Sequence, residues 1–153
     1  YNLLYREDER EMIPVCRQFD MALMPYSPMA SGHLCRPTWG TDSKRSETDS
    51  TMVNKYGGAR EEDLPIIACA AEAAARHEVP MARVALGQGV ESPIVGCSTP
   101  ERVDDAVAAL DVTLTPEEID YLEEPYRSHE LVGPKSRPGE KPLAGTTKVN
   151  LTK

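Results

Sequence analysis

Short apolar runs alternate with helical spacing along most of the chain. Residues 21–24 are four consecutive apolar residues closed by Pro25, which predicts a short strand buried on both faces. Residues 92–95 end in a second apolar run before Gly96 and predict another short strand. Because such runs are separated by helical patterns, the sequence indicates an α/β fold with parallel strands.

The first helical pattern covers residues 7–19. Its apolar positions, which share one face, are Met12, Val15, Cys16 and Phe19. Pro14 either kinks this helix or marks its true start. Asp20 stands where glycine usually follows a helix, so we expect an unusual turn into the first strand.

Four further helices are predicted at residues 61–78, from Pro80 for about two turns, at 100–110, and from 115 to 124. The helix at 61–78 has an apolar stripe made of Leu64, Ile67, Ala70, Ala71, Ala74 and Ala75. The inward positions expected in the helix at 100–110 are Val103, Ala106, Val107 and Leu110. The last helix begins with a capping box at residues 115–118 and has proline in its first position.

Each predicted strand is followed by residues suited to binding an anion. Tyr26 is followed by a turn of small residues, whose backbone N–H groups can approach a ligand closely. After the second strand, Thr99 can cap a helix that starts at Pro100, and Arg102 in its first turn can bind phosphate. The pair indicates either one ligand with two phosphate regions, such as a dinucleotide, or two ordinary strand-to-helix turns.

Composition narrows the class of protein. The length of 153 residues corresponds to one domain, and the net charge of −8 argues against nucleic-acid or anionic-membrane partners. The sequence has no signal peptide and no apolar run long enough to span a membrane. The four cysteines have no paired spacing, so we expect reduced thiols in a cytoplasmic protein. His33 and Cys35 resemble half of a metal site, but no partner pair has ligand spacing, and we predict no metal.

Five ordered motifs resemble the later half of the aldo-keto reductases. They lie at residues 1–7, 11–16, 25–32, 93–102 and 114–119, and the resemblance extends to about residue 131. It is nearest to the bacterial branch with Ser-Pro-Leu-Ala after the strand-end aromatic; here Met29 replaces the leucine. The resemblance implies a (β/α)8 TIM barrel that reduces aldehyde or ketone carbonyls with NADPH.

Since a full barrel needs about 250 residues, we interpret the chain as the C-terminal portion of a truncated barrel, with parallel strands and a C-terminal helix. It opens inside a motif without an initiating Met, which indicates a fragment or a truncated reading frame. Residues 1–131 form the partial domain, and residues 132–153 are a Gly-, Pro- and Lys-rich tail predicted to be disordered. Relatives carry a longer helix near Gly87-Gln88, which implies an internal deletion there.

The resemblance also assigns cofactor roles. Tyr26 would stack on the nicotinamide, or else be a core aromatic at a strand end. The ribose and pyrophosphate would lie along Ser27, Pro28, Met29, Ala30 and Ser31. Gly96, Ser98 and Arg102 would meet the 2′-phosphate and Asp105 the adenine, unless this helix is simply a well-capped surface helix. Relatives often carry Asn where this chain has Ala106, which bears on adenine contacts and on the choice between NADP and NAD.

No catalytic residue is assigned in this chain. The family's proton-donating Tyr, with its Lys, Asp and His, comes from the first half of the barrel, and no tyrosine here matches those motifs. Three hypotheses follow: the cofactor-binding half of an oxidoreductase acting on a small carbonyl substrate, a non-catalytic cofactor-binding or interaction module of the same fold, or an inactive fragment. We expect exposed sheet edges to favour self-association. The polar loop at 32–58 either holds phosphate through Arg36, Lys44 and Arg45 or is a solvated surface loop.

Overall fold

The computed structural model describes residues 1–39, 56–87 and 91–128. The α-helices within these ranges are α1 (Met12–Gln18), α2 (Arg60–Arg76), α3 (Met81–Leu86), α4 (Pro100–Ala108) and α5 (Pro116–Glu123). Short 3₁₀ helices cover Glu7–Glu9, Ala30–Cys35, Gly57–Ala59 and Ala109–Asp111. The predicted tail, Gln88 and most of the long polar loop, including Lys44 and Arg45, lie outside the described residues.

Helix α1 is shorter than predicted and begins close to its proline. The 3₁₀ turn at Glu7–Glu9 precedes it, and Pro14 is the third residue of the helix, where its missing N–H costs nothing. The unusual turn expected after it is confirmed: Asp20 adopts a left-handed φ of 53°. The Met21 N–H then donates to the Cys16 carbonyl at 2.9 Å, which closes the helix as glycine commonly does.

The core is built around α2, which packs against α3 and α5. The buried face of α2 consists of Ile66, Ile67, Ala70, Ala73 and Ala74, together with Asp63. This face overlaps the predicted stripe but is rotated from it, since Leu64 is only half-buried and Ala75 is exposed. Fully buried side chains from other segments complete the core, among them Leu4, Leu34, Val84 and Leu122.

The starts of α4 and α5 differ although both read Thr-Pro. At α5 the predicted capping box is confirmed: the Glu118 N–H donates to Thr115 Oγ1 and the Thr115 N–H donates to the Glu118 carboxylate. At α4 the prediction that Thr99 caps the helix is wrong, because its side chain accepts no N–H from the first turn. Only the position of Pro100 in the first turn agrees with the expectation.

The two predicted strands are reduced to a single contact. Tyr26 and Ile94 form an isolated parallel bridge, and the Ile94 N–H donates to the Pro25 carbonyl at 2.8 Å. The expectation that residues 21–24 are buried on both faces is wrong, since Met21 is exposed and Met24 is 67% exposed. The physical reason is that no other described segment pairs with this strand or covers its faces.

The apolar faces of α1 and α4 are also exposed. In α1 only Ile13 and Cys16 are buried, whereas the predicted inward residues Met12, Val15 and Phe19 are not. Helix α4 has no buried residue, and the positions predicted to face inward, Val103, Val107 and the following Leu110, are exposed. The predicted apolar face of α1 thus contributes only Cys16 to the buried residues, and the inward placement predicted for Val103, Val107 and Leu110 is wrong.

Residues near both limits of the described chain contact one another. The Arg6 guanidinium pairs with Glu9 at 2.7 Å and with Glu123 at 2.8 Å. The Arg6 N–H donates to the Tyr126 hydroxyl at 3.0 Å, and that hydroxyl donates to Glu7 at 2.9 Å. We call this cluster of Arg6, Glu7, Glu9, Glu123 and Tyr126 the terminal clasp. It fixes the end of α5 against the turn at residues 2–5.

Candidate functional site

The Tyr26–Ile94 bridge brings the two candidate anion-binding stretches side by side. Because the bridge is parallel, the residues that follow Tyr26 and those that follow Ile94 leave the same edge. Tyr26 itself is 60% exposed at that edge. Its placement disagrees with the alternative of a core aromatic and leaves its ring accessible to a ligand.

The turn after Tyr26 has a strained backbone. Three of its non-glycine residues adopt left-handed φ values: Ser27 at 57°, Ala30 at 48° and Ser31 at 57°. Each such residue costs roughly 1–3 kcal/mol and persists only where its surroundings impose it. The Ala30 N–H donates to the Ser27 carbonyl at 3.0 Å, and the Met29 carbonyl accepts from Gly32 and Leu34. Hydrogen bonds within the turn therefore hold part of this conformation.

The sequence of conformations in this turn suits an anion. Met29 has a φ of −97°, and the next residue, Ala30, is left-handed. A right-handed residue followed by a left-handed one directs neighbouring N–H groups toward one side and creates an anion-binding concavity. Pro28 and Ala30 are buried and anchor the turn, while Ser27, Met29 and Ser31 remain half-exposed. The arrangement is compatible with a bound phosphate or pyrophosphate.

Asn2, which the sequence analysis did not single out, forms a hydrogen bond with the backbone of this turn. Its side chain is 1% exposed. Its amide nitrogen donates to the Ser27 carbonyl at 3.0 Å and to the Tyr56 hydroxyl at 3.1 Å. Its amide oxygen accepts from the N–H groups of Leu4 and Tyr5 at 2.9 and 3.1 Å. A lone asparagine beside apolar residues gives no periodic signal, so only the three-dimensional contacts identify it.

The second stretch presents an accessible guanidinium. The Cβ that a side chain at Gly96 would carry meets no other atom within 4 Å, so there is open space in front of this backbone. Arg102 is exposed, and its Nη1 donates to Ser98 Oγ at 3.1 Å. The structure thus brings together Ser98 and Arg102, two of the residues predicted to meet the 2′-phosphate.

Asp105 is held by a residue that the sequence analysis missed. Arg83 of α3 donates from Nη2 to Asp105 Oδ1 at 2.6 Å, which ties α4 to α3. The carboxylate predicted to contact the adenine is therefore partly engaged. Its second oxygen is the one that remains for a ligand.

The two stretches share one electrostatic environment. Burial raises the pKa of the Cys35 thiol, and the positive charges of Arg102 and Arg36 oppose that rise. The charge of Arg102 therefore acts on the segment that follows the left-handed turn.

His33 belongs to the core of the turn. Its Nδ1 lies 3.0 Å from the Trp39 carbonyl, and its ring lies 4.6 Å from that of Trp39 and 5.6 Å from that of Tyr56. Burial lowers the pKa of His33, and the hydrogen bond to the Trp39 carbonyl opposes that shift. Cys35 contacts the Met29 sulfur at 3.7 Å. Among the described residues no group of His, Cys, Asp and Glu could hold a metal ion.

Several tyrosine hydroxyls are occupied by carboxylates. Burial and a hydrogen bond to Glu9 raise the pKa of Tyr1, and burial with the charge of Glu7 raises that of Tyr126. A hydrogen bond to Glu72 raises the pKa of Tyr121 to about 12. A tyrosine that donates a proton during carbonyl reduction needs the opposite shift.

A family model for the aldo/keto reductase family matches residues 1–127. The chain belongs to the aldo/keto reductase family. Members of this family act as oxidoreductases on small carbonyl or alcohol substrates with a nicotinamide cofactor. The match covers the left-handed turn, the Arg102 helix and all five described α-helices.

Curated relatives agree with this assignment. The chain is 45% identical over 132 residues to the versiconal hemiacetal acetate reductase of Aspergillus parasiticus, which covers 82% of this chain and 38% of that protein. It is 44% identical over 131 residues to a putative aryl-alcohol dehydrogenase of Saccharomyces cerevisiae, covering 83% and 38%. An aldo-keto reductase of Fusarium vanettenii is 36% identical over 140 residues, covering 87% and 37%. The chain thus spans less than two fifths of the length of each relative.

All four cysteines are free thiols. Within the described ranges, every helix is too short or too polar to cross a bilayer.

Proposed function

We propose that this chain is the cofactor-binding part of an NADP-dependent aldo-keto reductase that reduces aldehyde or ketone carbonyls to alcohols. The observation that carries the proposal is the parallel Tyr26–Ile94 bridge, because it sets a strained turn of small residues beside an exposed arginine. Family membership supports the same reading. When bound, the nicotinamide would supply the hydride for the reaction.

Each stretch has a distinct part in holding the cofactor. The exposed ring of Tyr26 stacks on the nicotinamide, and the turn at residues 27–31 follows the ribose and pyrophosphate. Arg102 and Ser98 bind the 2′-phosphate, with Gly96 leaving room for it. Asp105 contacts the adenine through the carboxylate oxygen that Arg83 does not engage.

Arg102 provides the sharpest test. A charged hydrogen bond contributes on the order of 1.5–3 kcal/mol, so Arg102→Ala should weaken NADPH binding by roughly 10- to 100-fold. NADH, which lacks the 2′-phosphate, should change little. Titrations of NADPH, NADH and 2′,5′-ADP, followed by protein and cofactor fluorescence, measure the three affinities directly.

Arg17 offers a matched control, because it is an exposed arginine on α1 outside both candidate stretches. Arg17→Ala should leave the affinity for NADPH unchanged. Equal losses for NADPH and NADH in Arg102→Ala would show that Arg102 supports the fold instead. Failure of the wild-type chain to bind either cofactor would overturn the proposal.

A second candidate function is a non-catalytic module of the same fold, or an inactive fragment. The observations that favour it are that no tyrosine of the chain matches the family's proton-donor motif and that the chain spans less than two fifths of the length of its relatives. A missing general acid typically lowers the rate by 10²–10⁴-fold. The chain alone should therefore show no reductase activity. Steady NADPH oxidation with an aldehyde, abolished by Tyr26→Ala, would exclude this candidate.

The same features support proposals about the fold, the self-association and the cellular location of the chain. We propose that it corresponds to the C-terminal part of a (β/α)8 barrel, since a parallel bridge joins two strand-to-helix connections. The exposed apolar faces of α1 and α4 lead us to propose self-association. The free thiols support a place in the cytoplasm. Residues 132–153 remain a predicted disordered tail outside the described residues.

A further inference from the structure

We propose that Asn2 is a positioning residue for the cofactor turn: its side-chain amide holds the Ser27 carbonyl and, through it, the left-handed conformation that receives the cofactor. The proposal rests on the proposed function and adds a residue that touches no cofactor itself. It explains why a fully buried polar side chain sits at this point of the core.

The orientation of the amide is determined by its partners. The N–H groups of Leu4 and Tyr5 can only donate, so the atom that faces them, at 2.9 and 3.1 Å, is the amide oxygen. The two hydrogens on nitrogen then point to the Ser27 carbonyl and the Tyr56 hydroxyl. All four hydrogen-bonding positions of the side chain are used. An amide held at four points is rigid and can act as a fixed support.

The support acts at the most strained point of the turn. Ser27 is left-handed, and its carbonyl accepts both from Asn2 and from the Ala30 N–H, each at 3.0 Å. Ala30 is itself the first of three consecutive residues with positive φ, Ala30, Ser31 and Gly32. A strained backbone persists only where the surrounding structure imposes it. The Asn2 side chain, which comes from another segment, donates a hydrogen bond to the backbone of this turn.

Asn2 also contacts a second buried segment through Tyr56. The Tyr56 hydroxyl lies 3.1 Å from the Asn2 nitrogen, and the Tyr56 ring packs 5.6 Å from that of His33, which follows the turn. Asn2 therefore links the turn at residues 2–5 to both ends of the segment that carries the cofactor contacts. Loss of the Ser27 bond should loosen the turn without removing an atom from the binding surface.

Asn2→Asp removes both donor contacts of the amide and places a carboxylate at this buried position. The introduced carboxylate still accepts from Leu4 and Tyr5, but it cannot donate to the Ser27 carbonyl. Amide exchange at Ala30 should accelerate, and NADPH should bind about 5- to 10-fold more weakly at neutral pH, the loss expected for a single hydrogen bond. Tyr56→Phe is the matched control, because it removes the other donor contact of Asn2 and leaves the Ser27 bond in place.

Lowering the pH tests whether the carboxylate at residue 2 causes the defect, and urea denaturation at each pH measures how much of the recovery comes from stability. Below its pKa, which burial raises, the introduced carboxyl carries a proton that it can donate to the Ser27 carbonyl. The affinity of Asn2→Asp relative to wild type at the same pH should therefore recover as the pH falls. A defect without such recovery, or an equal defect in Tyr56→Phe, would overturn the proposal.

The exchange measurement keeps the two proposals distinguishable. If wild type binds no NADPH, the proposed function fails, and faster Ala30 exchange in Asn2→Asp alone still supports the positioning role. If NADPH binds equally to wild type and Asn2→Asp while Ala30 exchange is unchanged, the positioning role fails and the proposed function stands.

Discussion

The molecule has a packed region and an open region, and both contain helices with one apolar face. In the packed region, α2, α3 and α5 bury their apolar faces against each other and against residues 3–4 and 30–34. In the open region, α1, the segment around Met24 and α4 leave theirs exposed, up to 84% at Leu110.

This difference shows that amphipathic spacing identifies the apolar face of a helix, but not whether another segment packs against that face. An apolar stripe indicates which face of a helix is expected to be buried. It does not indicate whether the segment that packs against this face belongs to the same stretch of chain. Since the chain spans less than two fifths of its relatives, the exposed faces mark where additional packing would occur.

Isoleucine to alanine substitutions should separate the two regions most strongly. Ile67 is fully buried in α2, and Ile67→Ala should lower the free energy of unfolding by about 2–5 kcal/mol. Ile94→Ala removes the same atoms from an exposed position and should cost less than about 0.5 kcal/mol. Urea denaturation of dilute protein compares them. Similar losses would mean that the open face is covered in solution.

A charge placed on the open face should reduce self-association. Burying one large apolar side chain contributes about 1.5–3 kcal/mol, so Leu110→Glu should weaken association by roughly 10- to 100-fold. Thr113→Glu adds the same charge at an exposed polar residue nearby and should have little effect. Sedimentation velocity across a concentration series gives the mass relative to the 16.8 kDa monomer. A monodisperse wild-type monomer with a sharp melt would contradict this expectation.

Substitutions at the N-termini of α4 and α5 should give the smallest difference in stability. Thr115 caps α5 through its hydroxyl, and Thr115→Ala should destabilise the chain by about 0.5–2 kcal/mol. Thr99 makes no such bond at α4, so Thr99→Ala should be close to neutral. Thr115→Ser should retain the stability, since it keeps the hydroxyl. Thermal melts of the three variants measure these effects, and equal losses in Thr99→Ala and Thr115→Ala would contradict the prediction.

Local chemistry determined which features could be predicted from the sequence. The capping box at Thr115, the position of Pro100 and the unusual turn at Asp20 depend on neighbouring residues, and all three are confirmed. The helix stripes were also found, although the buried face of α2 is rotated toward Ile66 and Ala73. That rotation reflects contacts with α3 and α5, which spacing alone does not contain.

Features that depend on distant segments could not be predicted. The two predicted strands did not form because a strand needs a neighbour, and among the described residues a single bridge, Tyr26–Ile94, joins them. In the candidate site, the two stretches were recognised from their residue types, and their adjacency follows from that bridge. Asn2 and Arg83 were missed because their partners lie 25 and 22 residues away along the chain.

The terminal clasp has a consequence for the order of folding. Arg6 and Glu7 meet Tyr126 across a separation of about 120 residues. Contacts between neighbours in sequence close small loops and form early, whereas a contact across this span must wait until the intervening chain is compact. The clasp should therefore be among the last features to form and among the first to open. Because it holds the segment that contains Asn2, its opening would release the support beneath Ser27.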